Sequence, residues 1–184
     1  DTVGDMACSL GNLLRYSLSP GDFTVLAREV ASLADYLEIQ GMRYGDKMQV
    51  QVNIVPSFGN IDVPKLIIQP IVENAIVHGI EKKVEDGQIH IWAELDGEQD
   101  LLLYVDDDGV GMSEEVARSL LVRQKSEDFR RSSHIGVYNV HRRLQMYYGE
   151  EYGVSIRSEI GVGPQVTLRI KALREPEDPP EGHG

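Results

Sequence analysis

The sequence predicts an α+β sandwich: a mixed, mostly antiparallel sheet covered by helices on one face and preceded by a helical segment. Three observations carry this. Apolar residues recur at helical spacing through the first 45 or so residues. From Lys47 onward, short segments of strand character appear, the first of them alternating. Helices and strands then follow one another in mixed order, which suits one sheet with helices packed on it.

The elements follow in order. Met6, Leu10, Leu13 and Ser17 step by 4, 3 and 4, and Ser19-Pro20-Gly21 ends that helix. Asp22 is a good N-cap for a second helix, in which Phe23, Leu26, Val30, Leu33 and Leu37 step by 3, 4, 3 and 4. That heptad-like seam needs a partner helix or the chain's own domain to lie on. Met48 to Ile54 alternates as a half-buried strand. Val63-Pro64 is expected to open a long apolar helix reaching about Ile80, with Pro64 in its first turn. Gln88–Leu95 and Leu101–Val105 read as strands around the turn Asp96-Gly97. Ser113-Glu114-Glu115 starts a short helix, and Lys125–Ser133 reads as a mobile polar loop. Ile135–Tyr148 is helical and closed by Gly149, and Val154–Ser158 and Gln165–Ala172 are strands. Residues 175–184 read as a disordered tail.

Composition limits the function classes. With 184 residues there is room for one ordinary domain and a short appendage, and 41% hydrophobic content suffices for a core. A net charge of -12 would be repelled by a nucleic-acid backbone or an anionic membrane surface. The single cysteine, Cys8, excludes an internal disulfide and a Cys-rich zinc site, and suits a reducing, cytoplasmic compartment. No apolar run approaches the roughly 20 residues that span a bilayer. The chain opens on Asp1, which suggests a fragment of something longer.

Four segments carry candidate chemistry. On the Pro64–Ile80 helix, Ile68, Ile71, Val72, Ala75, Ile76 and Gly79 share one side, while Glu73, Asn74 and His78 project from the other. Leu66, Ile67 and Val77 make the helix apolar nearly all round, so those polar groups are expected to line a cleft rather than a solvated face. The strand ending Val105 runs into Asp106-Asp107-Asp108-Gly109-Val110-Gly111. Glycines there bring backbone close to a ligand, and Asp107 is suited to accept a hydrogen bond from an exocyclic amine such as that of adenine. A plain Asp-Gly turn and a calcium loop compete with that reading. The calcium loop fails because Tyr104 stands where the first acidic ligand belongs and the preceding segment is strand. Ser133–Asn139 leads into a helix whose N-terminal N–H groups suit phosphate. Between Arg118 and Arg143 seven basic and two acidic residues give +5 within a chain of -12, a field that steers anions. Ser158–Pro164, with Gly161 and Gly163, reads by itself as a hairpin turn.

Together these segments resemble the GHKL ATPase superfamily, and more closely the catalytic region of LytS/YesM-type sensor histidine kinases. Gln69–Gly79 looks like that family's N box; Asp107–Gly111, Gly136–Val140 with Arg143-Leu144, and Gly161 with Gly163 look like its three glycine boxes. Leu13–Ser17 and Tyr36–Gln40 with Arg43-Tyr44 resemble its dimerisation-helix and linker signature.

The resemblance implies roles. ATP and Mg²⁺ are the implied ligands. Asp107 would bind the adenine amino group, Asn74 would ligate Mg²⁺, and Glu73 would polarise the attacking nucleophile. His78 and Arg143 would contact the phosphates, Gly109, Gly111 and Gly136 would let backbone approach the nucleotide, Asn139, Gly161 and Gly163 would belong to its binding site, and residues 113–135 would form a lid. It also implies a remnant of dimerisation and phosphotransfer helices over 1–45, an ATP-binding catalytic domain over 46–174, and a tail over 175–184. In the whole protein it implies a homodimer, a phosphoacceptor-helix domain, a response regulator, and a cytoplasmic placement beneath a membrane anchor borne by other segments. Four residues depart from the pattern: Asp108 for Asn, His134 for the first glycine of the second box, Pro164 for Thr, and Val77 for Lys. They leave open a degenerate nucleotide-binding or scaffold module, and the helical seam leaves open a structural dimerisation module. The five histidines, His78, His90, His134, His141 and His183, all lie outside the N-terminal helices, so the chain is expected not to phosphorylate itself on histidine.

Overall fold

The computed structural model describes residues 2–97, 99–122 and 135–172. Helix α1 (Thr2–Leu18) lies against α2 (Leu26–Tyr44). The pairs Ser9–Glu38, Asn12–Asp35 and Tyr16–Glu29 run in opposite directions along the two helices, so the hairpin is antiparallel. Between them β1 (Phe23–Val25) pairs antiparallel with β3 (Asp62–Pro64).

Five strands form the main sheet: β2 (Met48–Asn53), β4 (Gly87–Asp96), β5 (Asp100–Asp107), β6 (Gly153–Glu159) and β7 (Gly163–Lys171). Their order is β2-β4-β5-β7-β6. The β2–β4 pair is parallel and the rest are antiparallel. The mixed, mostly antiparallel sheet is therefore as the sequence predicts. Alternation supplies its inner face: Ile89, Ile91, Leu101, Leu103, Val105, Val166, Leu168 and Ile170 are all buried. They meet Ile71, Val72 and Ile76 of α3 (Gln69–Asn74 and the turns that continue it), and Val137, Val140 and Leu144 of α5 (Ile135–Tyr148). Each such side chain contributes about 1.5–3 kcal/mol of hydrophobic stabilisation. The short helix α4 (Glu114–Ser119) starts at Ser113, whose hydroxyl accepts the Val116 N–H.

Two expected helix starts are corrected. Asp22 does not cap α2. Phe23–Val25 is strand, and Val25 stands at the N-cap position with no side-chain bond. The first donors of α2 are taken by backbone carbonyls instead: Leu26 N–H to Ile61 O at 2.8 Å and Ala27 N–H to Gly59 O at 3.0 Å. The strand pairing of β1 with β3 provides those acceptors and displaces the local cap.

The second helix does not begin at Pro64 either. Pro64 ends β3, residues 65–68 form an irregular turn, and helix α3 starts at Gln69 with Pro70 in its first turn. Apolar residues run from Val63 to Ile68 with Lys65 as the one interruption, because the surroundings are core. Periodicity cannot distinguish a buried strand or turn from a helix in such a run. Leu66 takes a φ of 56°, a left-handed conformation that costs a non-glycine residue about 1–3 kcal/mol. Three hydrogen bonds offset it. The buried Glu29 carboxylate accepts the N–H groups of Leu66, Ile67 and Ile68 at 2.9, 2.7 and 3.0 Å.

The seam on α2 is covered by α1 and by the chain's own core. Leu26 and Leu33 are fully buried in the same cluster as the sheet residues, and Val30 and Leu37 pack on its edge. The loop 125–133, His134 and the tail 175–184 lie outside the described residues.

Candidate functional site

The site forms where α3 passes the end of β5. Helix α3 ends at Asn74 and continues as a π turn over Ala75–Gly79, then one 3₁₀ turn to Lys82. Insertions of that kind recur at functional sites because they re-aim the side chains that follow. Ile71, Val72, Ala75, Ile76 and Gly79 face the core as predicted. Asn74 is also buried, at 4% exposure, whereas Glu73 and His78 are half-buried.

Beyond the core face, Gly79 packs directly on the β5 loop and on the Asp107 side chain. A Cβ on Gly79 would lie 2.3 Å from Asp107 Oδ1, and one on Gly109 would lie 2.4 Å from Gly79 Cα. Only glycine at both positions permits this approach. Asp107 thus sits at 4% exposure, its Oδ1 accepting the Gly109 N–H at 3.0 Å. Burial pushes its pKa up to about 7; the Gly109 N–H opposes the shift, and the neighbouring Asp106 and Asp108 reinforce it.

A cleft opens beside Asp107, lined by Asn74, His78, Gly79, Gly111, Met112 and Pro164. Its cavity volume is about 10 Å³, about the room that one water needs. That is below the roughly 300 Å³ at which pockets for drug-sized ligands begin. As it stands the cleft is closed to a planar base, so a nucleotide needs its walls to part and must extend beyond it.

The glycine boxes prove to be built largely against one another. A Cβ on Gly111 (φ 65°) would meet Glu159 O at 2.0 Å, and one on Gly163 (φ 92°) would meet Asp107 O at 1.9 Å. The Gly161 N–H bonds Val110 O at 2.9 Å, and the Met112 N–H bonds Ser158 Oγ at 2.9 Å. The β6–β7 turn therefore clamps the loop that carries Asp107. Gly161 itself stands in open space at φ 85°. Gly136, in the first turn of α5, faces Pro70, whose Cβ would lie 3.1 Å from an added Cβ.

His78 lines the cleft, and Glu73, Asn139 and Arg143 fall outside its lining. Glu73 Oε1 accepts from Gln69 Nε2 at 2.9 Å and lies toward Tyr36 of α2, whose hydroxyl burial and the Glu73 charge push up in pKa. His78 Nδ1 lies 3.4 Å from Lys82 Nζ. Asn139 is exposed on α5. Arg143, one helical turn further, donates to the Lys65 carbonyl and lines a separate cavity with Ser17, Ser19, Asp22, Lys65 and Tyr147.

Two departures acquire a physical setting. Asp108 turns from the cleft: Oδ1 accepts the Gln88 N–H at 2.8 Å and Oδ2 pairs with Lys83 Nζ at 3.0 Å. Pro164 is buried and walls the cleft. Sequence reasoning missed Lys83, Ser158 and Met112. A Lys three residues after the predicted helix and a hairpin Ser carry no local signal of their role.

The donor set limits how a metal is held. Among the described residues no group of three or more His, Cys, Asp or Glu is placed to bind one. Asn74 alone offers a buried amide oxygen, which suits Mg²⁺ carried on phosphate oxygens and water rather than a protein cage.

Comparison with known proteins agrees in order and extent. A family model described as histidine kinase-, DNA gyrase B- and HSP90-like ATPase matches residues 59–174, and one described as histidine kinase matches residues 1–48. The sensor histidine kinase YpdA of Escherichia coli K12 is 32% identical over 178 residues, 96% of this chain and 30% of that protein. Sensor histidine kinase BtsS of the same organism is 30% identical over 151 residues, 82% of this chain and 24% of that protein. Sensor protein kinase HptS of Staphylococcus aureus USA300 is 29% identical over 167 residues, 90% of this chain and 31% of that protein. This chain thus spans about a quarter to a third of the length of these curated relatives. The histidine kinase domain of a blue-light activated kinase from Erythrobacter litoralis superposes with a TM-score of 0.58 at 16% identity, covering 92% of this chain and 79% of that one. The mycobacterial sensor histidine kinase MprB gives 0.56 at 12% identity, over 83% and 98%. At those identities the likeness is one of fold.

Proposed function

The chain belongs to the histidine kinase-, DNA gyrase B- and HSP90-like ATPase family, as a catalytic domain of the sensor-histidine-kinase type, and from that premise we propose that it binds Mg-ATP in the Asn74–Asp107 cleft for transfer of the γ-phosphate to a histidine. The observation that carries this is Asp107: a buried carboxylate at the floor of a glycine-built cleft, beside a buried asparagine.

Asp107 accepts the adenine amino group, and the clamp from Gly161 and Ser158 holds its loop still. Asn74 offers its amide oxygen to Mg²⁺. When bound, Mg²⁺ neutralises charge on the phosphate oxygens. His78 contacts the phosphates from the cleft wall, and Gly136 and Asn139 bring the start of α5 toward them. Glu73 lies on the α2 side of α3, where an acceptor side chain would approach, and polarises it.

The acceptor histidine belongs to the phosphoacceptor-helix domain of the same kinase, and the phosphate passes to a response regulator. Homodimerisation is supported by α1, whose Val3, Met6, Leu10, Leu14 and Leu18 form an exposed apolar stripe. Residues 1–45 are then the helical part, and 46–174 the catalytic domain. Among the described residues no helix is long and apolar enough to cross a membrane. We assign the domain to the cytoplasmic side of an anchored sensor.

Calorimetry with Mg-ATP on the parent chain and on Asp107→Ala tests the reading. Affinity that falls about 10- to 100-fold in the variant is expected. A folded parent that gives no heat overturns it.

A further inference from the structure

We propose that Glu29 is a positioning residue for the nucleotide site: through the turn Lys65–Ile68 it lets the α1–α2 hairpin hold Asn74 in place. This rests on the nucleotide reading above. Four separate parts of the chain converge on that turn. Asp22 O accepts the Lys65 N–H at 2.9 Å. Lys65 Nζ donates to Ser19 O and Ser19 Oγ, each at 2.7 Å, and lies 5.1 Å from the centre of the Tyr16 ring. Arg143 of α5 donates to the Lys65 carbonyl. Glu29, only 2% exposed, takes the next three N–H groups and the Tyr16 hydroxyl.

Those three N–H groups immediately precede helix α3. Ile68, at its N-cap position, makes no side-chain cap bond, and its carbonyl accepts the Ile71 and Val72 N–H groups at 3.0 and 3.1 Å. A Ser or Asp at position 68 would cap the helix locally. This chain instead uses a carboxylate on α2, 39 residues earlier than Ile68. The start of α3 is therefore set only while α2 is docked.

Asn74 is six residues beyond Ile68, about 9 Å along a helix that rises ~1.5 Å per residue. Such a short helix moves as one piece within a close-packed core. The π turn that begins at Ala75 breaks the α-helical register just past Asn74, so the position of Asn74 is set from its N-terminal side. A displacement of α2 reaches Asn74 through Glu29, whereas Asp107, on β5, meets α3 at Gly79, beyond Asn74 in the π turn, and is held from its other side by the β6–β7 clamp.

The experiment compares the parent chain with Glu29→Gln and Tyr16→Phe. Calorimetry measures ADP binding with Mg²⁺ and with EDTA, and hydrogen exchange is followed without nucleotide. Outer-shell substitutions typically cost 10–100-fold in metal affinity, so Glu29→Gln should lose about tenfold or more of the Mg²⁺-dependent gain. Its ADP binding in EDTA should stay at the parent value, and Tyr16→Phe should keep both. Faster exchange in Glu29→Gln should extend from Leu66 through Gly79. Should that variant not fold, Glu29→Asp, which withdraws the carboxylate by one methylene, gives the same comparison. An unchanged Mg²⁺-dependent gain with exchange altered only at Leu66–Ile68 overturns the proposal. So does an equal loss in both buffers with exchange raised throughout the sheet. A parent chain that binds no ADP removes the nucleotide reading, and the extent of the exchange change then decides the role of Glu29.

Discussion

Glu29 and Asp107 are both carboxylates almost wholly removed from water, yet they are treated in opposite ways. Glu29 is surrounded by donors: three consecutive N–H groups and a phenol. Asp107 accepts the N–H of its own loop at Gly109, and burial outweighs that bond, raising its pKa to about 7. A buried carboxylate saturated by fixed donors locks a turn. One short of donors stores a desolvation cost that an incoming amine can relieve. The pair separates what stabilises this domain from what readies it for a ligand.

The comparison can be broken most directly at Glu29. Glu29→Ala leaves three N–H groups, two of them buried, and the Tyr16 hydroxyl without their acceptor. At about 1–3 kcal/mol per stranded group, the loss in urea-unfolding free energy should be at least about 3 kcal/mol. A loss below about 1 kcal/mol, the net value of a single ordinary hydrogen bond, would sink the distinction.

Asp107→Ala should act on the ligand instead. Hydrogen bonds to charged groups are worth about 1.5–3 kcal/mol, so Mg-ATP affinity should fall about 10- to 100-fold in calorimetry. Stability at pH 8 should fall far less than in Glu29→Ala, because a desolvated charge is removed together with its bond.

Acidification sharpens the same contrast. The carboxylate form of Asp107 accepts the amine, so Mg-ADP affinity should fall about tenfold between pH 8 and pH 6. Stability should move the other way. The folded pKa of Asp107 lies above its unfolded value, so the native state holds the proton more tightly. Its contribution is greatest below pH ~4 and is lost as pH rises to about 7. Asp107→Asn should remove that slope from unfolding measured across the window. A slope that persists would assign it to other groups.

The smallest effect is expected at Asp108. Its pair with Lys83 is partly exposed and its charge turns from the cleft. Asp108→Ala should cost about 1 kcal/mol or less and leave Mg-ATP affinity near the parent value. A marked gain in affinity would show that the carboxylate opposes the nucleotide after all.

What was legible in the sequence was local. Alternation marked the strand at Met48–Ile54, and short runs bounded by turn signals marked the other four of the main sheet, because side chains on a strand point to opposite sides whatever lies beyond. Helical spacing placed Ile71, Val72, Ala75, Ile76 and Gly79 on the core side of α3, and the N box with the glycine boxes marked where Asn74 and Asp107 stand. The helix starts at Asp22 and Pro64 were misread because their donors are satisfied from afar. Ile61 O serves Leu26, and Glu29 serves residues 37 to 39 positions further along. The same holds for Gly111 and Gly163, which admit Glu159 O and Asp107 O, for Asp108, which finds Lys83, and for Arg143, which reaches Lys65 across 78 residues. Periodicity records which way a residue faces. Which group it meets there is decided only when loops close and distant segments pack, and that is where the tertiary structure separated the saturated carboxylate from the waiting one.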